Sequence, residues 1–407
     1  MRKNLPVSAS MTASAIALCS GVCSGVHSGV YSGIRSGRRW ARQWIRPLIR
    51  QRARQWASQW ARQLCHQMNR PSLVTLIFTL VFSLALALSV HGCTSPAQTL
   101  QPLRIGLNSW PGYALAYYAE RKSLFTQRGL AVELVEFNNQ QDNIRATLRG
   151  ALDASFVPLW EVMQADVGEA QPSLIMVADI SAGSDGIVAR SGIESVADLR
   201  GQKVGVKLGT VPHLVLLEAL KAAQIPPEAL ELVDVSNELS IQQLHDGLLD
   251  AVVVWEPSLS ETAEAIGGNV ISTTADLDSL VIDSLVSRSS FVSEHSEALT
   301  QFTLAWLDAV HAVETRPDEV FATIGQVTGQ SREAFAIGYG GLKKGDRGLN
   351  QRMFEAGRLP EAVAQIAQLL EADPRHSRVI RQDVEINSTP MTEAIRTWQA
   401  LPSSSTR

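Results

Sequence analysis

Residues 103–137 read LRIGLNSWPGYALAYYAERKSLFTQRGLAVELVEF, and the order of signals within them decides the fold class. Residues 103–107 form an apolar run of strand length, 113–120 a helical stretch, and 132–137 a second strand. The alternation continues with a helix over 143–149, a strand over 154–158, a helix over 161–167 and a strand over 174–180. Short apolar runs separated by helices imply a parallel sheet covered on both faces.

The pattern then repeats. SVADLRG (195–201) is a short helix that starts at Ser195 and stops at Gly201. QKVGVKLGT (202–210) is a strand running into a loop. PHLVLLEALKAA (212–223) is a helix with Pro212 in its first turn, where a missing N–H costs nothing. Strands over 230–235 and 251–255 flank a helix over 240–246, and Pro257 stops the last strand. After Asp283 the chain turns mainly helical, with Trp306, Val310 and Val313 spaced for one buried face. The roughly 310 residues after Cys93 are too many for one small core and suit two α/β lobes. A single large doubly wound domain is the alternative.

Upstream, residues 73–90 (LVTLIFTLVFSLALALSV) carry no charge and lead into LSVHGCTSP at 88–96. An apolar run, a short polar break and the small Gly92 make a signal-peptidase site. With Cys93 as the first residue after the cut, the stretch resembles the lipobox of bacterial lipoproteins, although His91 departs from the small residue usual there. That resemblance implies a diacylglycerol on the Cys93 thiol; an uncleaved signal anchor is the alternative. Residues 20–37 repeat the unit SGVC, SGVH, SGVY, SGIR, and 38–64 make a cationic Trp/Arg/Gln-rich helix interrupted by Pro47, suited to an anionic membrane surface. Met68 opens a signal peptide of ordinary length. The expected organisation is therefore an extension over 1–67, a signal peptide over 68–92 and a linker over 93–102.

Charge supports this division. Residues 1–92 hold 12 Lys and Arg and no Asp or Glu, so of the 36 basic and 40 acidic residues the remainder keeps 24 and 40, a balance of −16. Such a surface excludes nucleic acid as a partner, because neutralising phosphates needs a basic face. The four cysteines are 19, 23, 65 and 93, which leaves the folded part no disulfide framework and no cysteine-based metal site.

The stretch 103–137 resembles the opening of nitrate/sulfonate/taurine-type substrate-binding proteins of ABC importers. The resemblance continues through LRGALDASFVPLWEV (148–162), ADISAGSDGIVAR (178–190), SVADLRGQKVGVKLGTVPHLVL (195–216), LLDAVVVWEPSLSE (248–261) and VIDSLVSRSSFV (281–292). It implies the type II periplasmic binding protein fold, an α/β architecture of two lobes joined by two crossover segments with ligand trapped in the cleft. Carried over, the crossovers fall near 185–190 and 282–288. Lobe one is then 103–186 plus 287–407, and lobe two 187–286. The implied protein is a monomeric receptor, lipid-anchored at Cys93 on the extracytoplasmic side of the membrane, that hands a small solute to ABC permease and ATPase subunits. No cofactor and no metal are expected.

Ligands of open α/β sheets bind beyond the carboxyl ends of the strands, at helix N-termini. NSWPGY places Asn108, Ser109, Trp110 and Tyr113 there. LGTVPH places Gly209, Thr210 and Val211 there with free N–H groups, and His213 beside them. VVWEP contributes Trp255 and Glu256, held extended before Pro257. FVPLWE adds Leu159, Trp160 and Glu161, and Asp185 and Asp283 lie near the crossovers. Each has a plainer role as well: a tryptophan at a strand end packs the core, Glu256 caps or pairs, and the two aspartates hold a hinge.

The ligand chemistry is open. Helix N-termini and hydroxyls suit a sulfonate or similar anion, although these motifs contain no Arg or Lys. Tryptophans and carboxylates suit an aromatic or cationic solute through stacking and cation–π contact, such as the thiamine-precursor pyrimidines that some members bind. Catalysis is not expected. The family's pyrimidine-making relatives use a cysteine-rich segment, whereas this chain has no cysteine after Cys93. GYGGLKKGD (338–346) lacks the spacing of a phosphate loop and reads as a surface loop.

Overall fold

A computed structural model describes residues 100–373 and 379–400. The repeats, the basic helix, the apolar run and the Cys93 lipobox lie outside the described residues. Among the described residues no helix is long and apolar enough to cross a membrane.

The chain forms two α/β lobes. The first sheet opens with β1 (Gln101–Leu107), followed by α1 (Leu115–Arg121), β2 (Leu130–Glu136), α2 (Gln140–Leu148), β3 (Ala154–Pro158), the single turn α3 (Leu159–Val162) and β4 (Pro172–Ser181). The chain then builds a second sheet from β5 (Asp185–Ala189), β6 (Lys203–Val206), β7 (Glu231–Asp234), β8 (Ala251–Trp255) and β9 (Asn269–Thr273). Helices α4 (Val211–Ala222), α5 (Asn237–His245) and α6 (Ser258–Ile266) separate these strands. β10 (Ile282–Arg288) returns to the first sheet, and α7 (Ser289–Thr315) starts the helical C-terminal part.

Strand order in the first sheet is β11-β4-β10-β3-β1-β2, where β11 is Leu342–Lys344, and a short β12 (Glu385–Ile386) also pairs with β4. The second sheet runs β7-β6-β8-β5-β9. β1 is parallel to β2 and β3, and β6 to β7 and β8, as the alternation implies. The purely parallel expectation fails at β5 and β10, which run against both of their neighbours. A parallel neighbour needs a long, usually helical, return. These two strands instead enter from the other sheet, β5 after only residues 182–184 and β10 after 274–281. The expected crossovers are thus strands, and the chain passes between sheets just before each.

The segment expected as a surface loop over 338–346 is also different. It ends a helix, α8 (Arg332–Gly340), and supplies β11, antiparallel to β4. Gly345 N–H donates to the Ala178 carbonyl at 2.8 Å, and a Cβ there would lie 2.2 Å from that oxygen. Only glycine admits that approach, so the glycines serve an edge strand and not a phosphate.

β3 and β4 are buried along their whole length, which is why they read as mainly apolar runs without polar alternation. Against them lies the buried face of α7, with Trp306, Val310 and Val313 as the spacing predicted. The Trp306 ring sits 5.0 Å from that of Phe156 on β3 and its Nε1–H donates to the Gly345 carbonyl.

Candidate functional site

The direction of β5 and β10 matters to the site. Because they are reversed, their first residues stand where parallel neighbours end: Asp283 is opposite Pro158, and Asp185 opposite Trp255. A cavity of about 580 Å³ opens at this shared edge, lined from the loops after β1, β2, β3, β6 and β7 and from the end of β8.

After β1 the Asn108 side chain accepts the Trp110 N–H at 3.1 Å, and Pro111 starts a turn of 3-10 helix over Pro111–Ala114. This turns Trp110 and Tyr113 toward two carboxylates. Trp110 Nε1–H donates to Asp179 at 3.1 Å, and the Tyr113 hydroxyl donates to Asp283. Gly112 must be glycine here, since a Cβ would lie 1.9 Å from an Asp179 oxygen.

The cleft is bridged. Gln141 of α2 and Gln164 each donate to the Gly209 carbonyl at 3.1 and 3.3 Å, and Glu161 accepts the Val211 N–H at 3.2 Å. The first turn of α4 therefore already holds a carboxylate of the protein itself. Thr210 does not cap that helix; its hydroxyl donates to the Lys207 carbonyl.

Of the expected residues, Asn108, Ser109, Trp110, Tyr113 and Asp185 line the cavity, as do Thr210, Val211, Trp255 and Asp283. Glu161 lines it too. Leu159, Trp160, Gly209 and Glu256 do not. Leu159 and Trp160 point into the core, Trp160 being 1% exposed with its ring edge-on to His213. Gly209 takes a positive φ of 78° and spends its carbonyl on the two glutamines. Glu256 accepts both the N–H and the hydroxyl of Ser260, capping α6. His213 accepts the Gly209 N–H and approaches Asp373 at 3.4 Å, deep in the structure.

Several residues at or behind the cavity went unread, Asp179, Ser236 and Lys207 among them. Asp179 escaped because it sits inside the apolar run of β4, although a carboxylate in a fully buried strand is itself a signal. Ser236 caps α5 at the cavity rim through the Leu239 N–H. Lys207 also lines the cavity, with its Nζ 2.9 Å from Asp234.

Burial pushes the Asp185 carboxyl up to about 7. Burial, with the neighbouring carboxylates second, raises Glu161, Asp179 and the Tyr113 hydroxyl. Asp283 is raised by burial as well. The cavity lining thus combines two tryptophans with buried carboxyls whose ionisation burial opposes.

Residues 97–325, more than half of the chain, match the NMT1-like family. The chain belongs to the NMT1-like family. The taurine-binding periplasmic protein of Escherichia coli (strain K12) is 23% identical over 195 residues, 47% of this chain and 60% of that protein. The formylaminopyrimidine-binding protein of Halalkalibacterium halodurans is 27% identical over 258 residues, 60% of this chain and 75% of that protein. The chain spans about three-fifths of the length of several curated relatives it matches. The solved aliphatic sulphonate binding protein SsuA from Escherichia coli superposes with a TM-score of 0.58 at 19% identity, over 70% of this chain and 96% of that one. This NMT1-like chain thus has the periplasmic binding protein fold. Enzymes use the fold as well, so function must be argued from the site.

Proposed function

We propose that the chain is the extracytoplasmic solute-binding component of an ABC importer, which captures a small organic solute between its lobes and delivers it to permease and ATPase subunits. The observation that carries this is the bridged cavity. It is lined from both sheets, and its closing contacts run from Gln141, Gln164 and Glu161 to the start of α4. Ligand captured there shifts an open–closed equilibrium toward closed. Binding without catalysis is supported by the relatives named as taurine-binding and formylaminopyrimidine-binding proteins.

The aliphatic sulfonate and taurine class is supported by the taurine-binding relative and by the starts of α2, α4 and α5 around the cavity. A second reading, an amino-pyrimidine, is supported by Trp110 and Trp255 and by the formylaminopyrimidine-binding relative. Calorimetric titration against taurine, ethanesulfonate, nitrate and formylaminopyrimidine tests the receptor role. Trp110→Ala is expected to weaken whichever solute binds by about tenfold or more, since it removes an aromatic wall worth roughly 1.4 kcal/mol or more. Affinity equal to wild type would make Trp110 a core residue only.

We also propose that Cys93 carries the lipid anchor, on the strength of the lipobox-like stretch. Cys93→Ser should release the protein from membranes into the soluble fraction. Retention in the membrane pellet would favour an uncleaved signal anchor.

A further inference from the structure

The cavity's charge does not match a plain anion. Its lining holds the carboxyls of Glu136, Glu161, Asp185, Glu238 and Asp283 against one cation among the described residues, Lys207, which is already paired with Asp234. The start of α4, where an anionic ligand would find N–H groups, is taken by Glu161. Meanwhile three oxygens on cavity-lining residues have no hydrogen-bond partner among the described residues, Asp185 Oδ2, Glu161 Oε2 and Asn237 Oδ1, against a single unpartnered donor, Gln140 Nε2. Asp185 and Glu161 are deeply buried, at 2% and 4% exposure. Buried carboxylate oxygens without donors are costly, and a ligand that brings donors to them removes that cost. Tryptophans 110 and 255 line the same cavity and favour a cationic centre over their faces.

We propose that the solute carries a protonated or strongly N–H-donating nitrogen, an alkylammonium or an amino-heterocycle, held by Asp185 and Glu161, and that solutes lacking such a nitrogen are rejected. This rests on the receptor reading above and narrows it. An aminosulfonate satisfies it, whereas an alkanesulfonate or nitrate does not.

The test is thermal shift of the full chain in detergent against matched probes: taurine with ethanesulfonate, propylamine with propanol, 4-aminopyrimidine with pyrimidine, and nitrate alone. The expected result is that only nitrogen donors raise the Tm, with affinity about tenfold or more above their partners. Asp185→Asn should fold and lose about tenfold or more of that affinity, and Glu161→Gln serves as the second variant should the first not fold. Stabilisation by ethanesulfonate or nitrate equal to that by an amine overturns the proposal and leaves the receptor role standing. An unchanged response in both variants also overturns it. No response to any probe overturns the receptor reading for this cleft, and the proposal with it.

Discussion

Trp306→Ala should lower the stability of the folded chain by about 3–5 kcal/mol, the range for removing a buried tryptophan from a packed core. Trp306 is 1% exposed, its ring lies 5.0 Å from that of Phe156, and its Nε1–H donates to the Gly345 carbonyl that anchors β11. The substitution therefore opens a cavity between α7 and the first sheet and orphans a buried carbonyl. Urea unfolding would read it as a lower midpoint at an unchanged slope. A loss below about 1 kcal/mol would mean that α7 can collapse onto the sheet and that its packing is not what holds β11.

The second large effect is on pH. The ligand-free chain should become less stable as pH rises from 5 to 8. Burial raises Asp185 and Glu218 to about 7 and holds Glu161, Asp179 and Asp283 above the ordinary range. In the unfolded chain such groups titrate near 4. Between these values the folded state binds more protons than the unfolded one, so stability is fully present below about 4 and is lost as pH rises through about 7. A tenfold difference in a group's proton affinity between the two states is worth about 1.4 kcal/mol, so several such groups together give a total of several kcal/mol. Surface carboxyls such as Asp250, lowered despite partial burial by its bonds to Lys203 and Arg190, act oppositely, their contribution being lost as pH falls below the ordinary range. A flat profile from 5 to 8 would show that water reaches the carboxyls freely. A bound cationic solute should shallow the slope, because it holds Asp185 and Glu161 ionised.

The layered α/β fold was legible because strands such as ASFVP and AVVVW are buried on both faces and so lose the polar alternation of a half-exposed strand. The reversal of β5 and β10 was not, since strand direction leaves no mark on composition. That reversal is what brings Asp185 and Asp283 to the cavity edge. Within the site, NSWPGY read correctly as a cavity stretch because Pro111 and Gly112 fix the turn that aims Trp110 and Tyr113. Trp160 and Glu256 lie outside the cavity lining for local reasons: a ring on a one-turn helix swings into the core, and a carboxylate four residues before a serine is captured by it. Asp179 stayed hidden within the apolar run of β4, where only its charge marked it.

The central claim is that the lobes close on a solute. Small-angle scattering of the unit from Ala97 onward, with and without a saturating solute identified by titration, tests it most directly. The ligand-free protein should be more extended than the bridged structure described above. Solute should then contract it, as the contacts from Gln141, Gln164 and Glu161 to Gly209 and Val211 form. A bound solute that leaves the radius of gyration unchanged would contradict capture by closure.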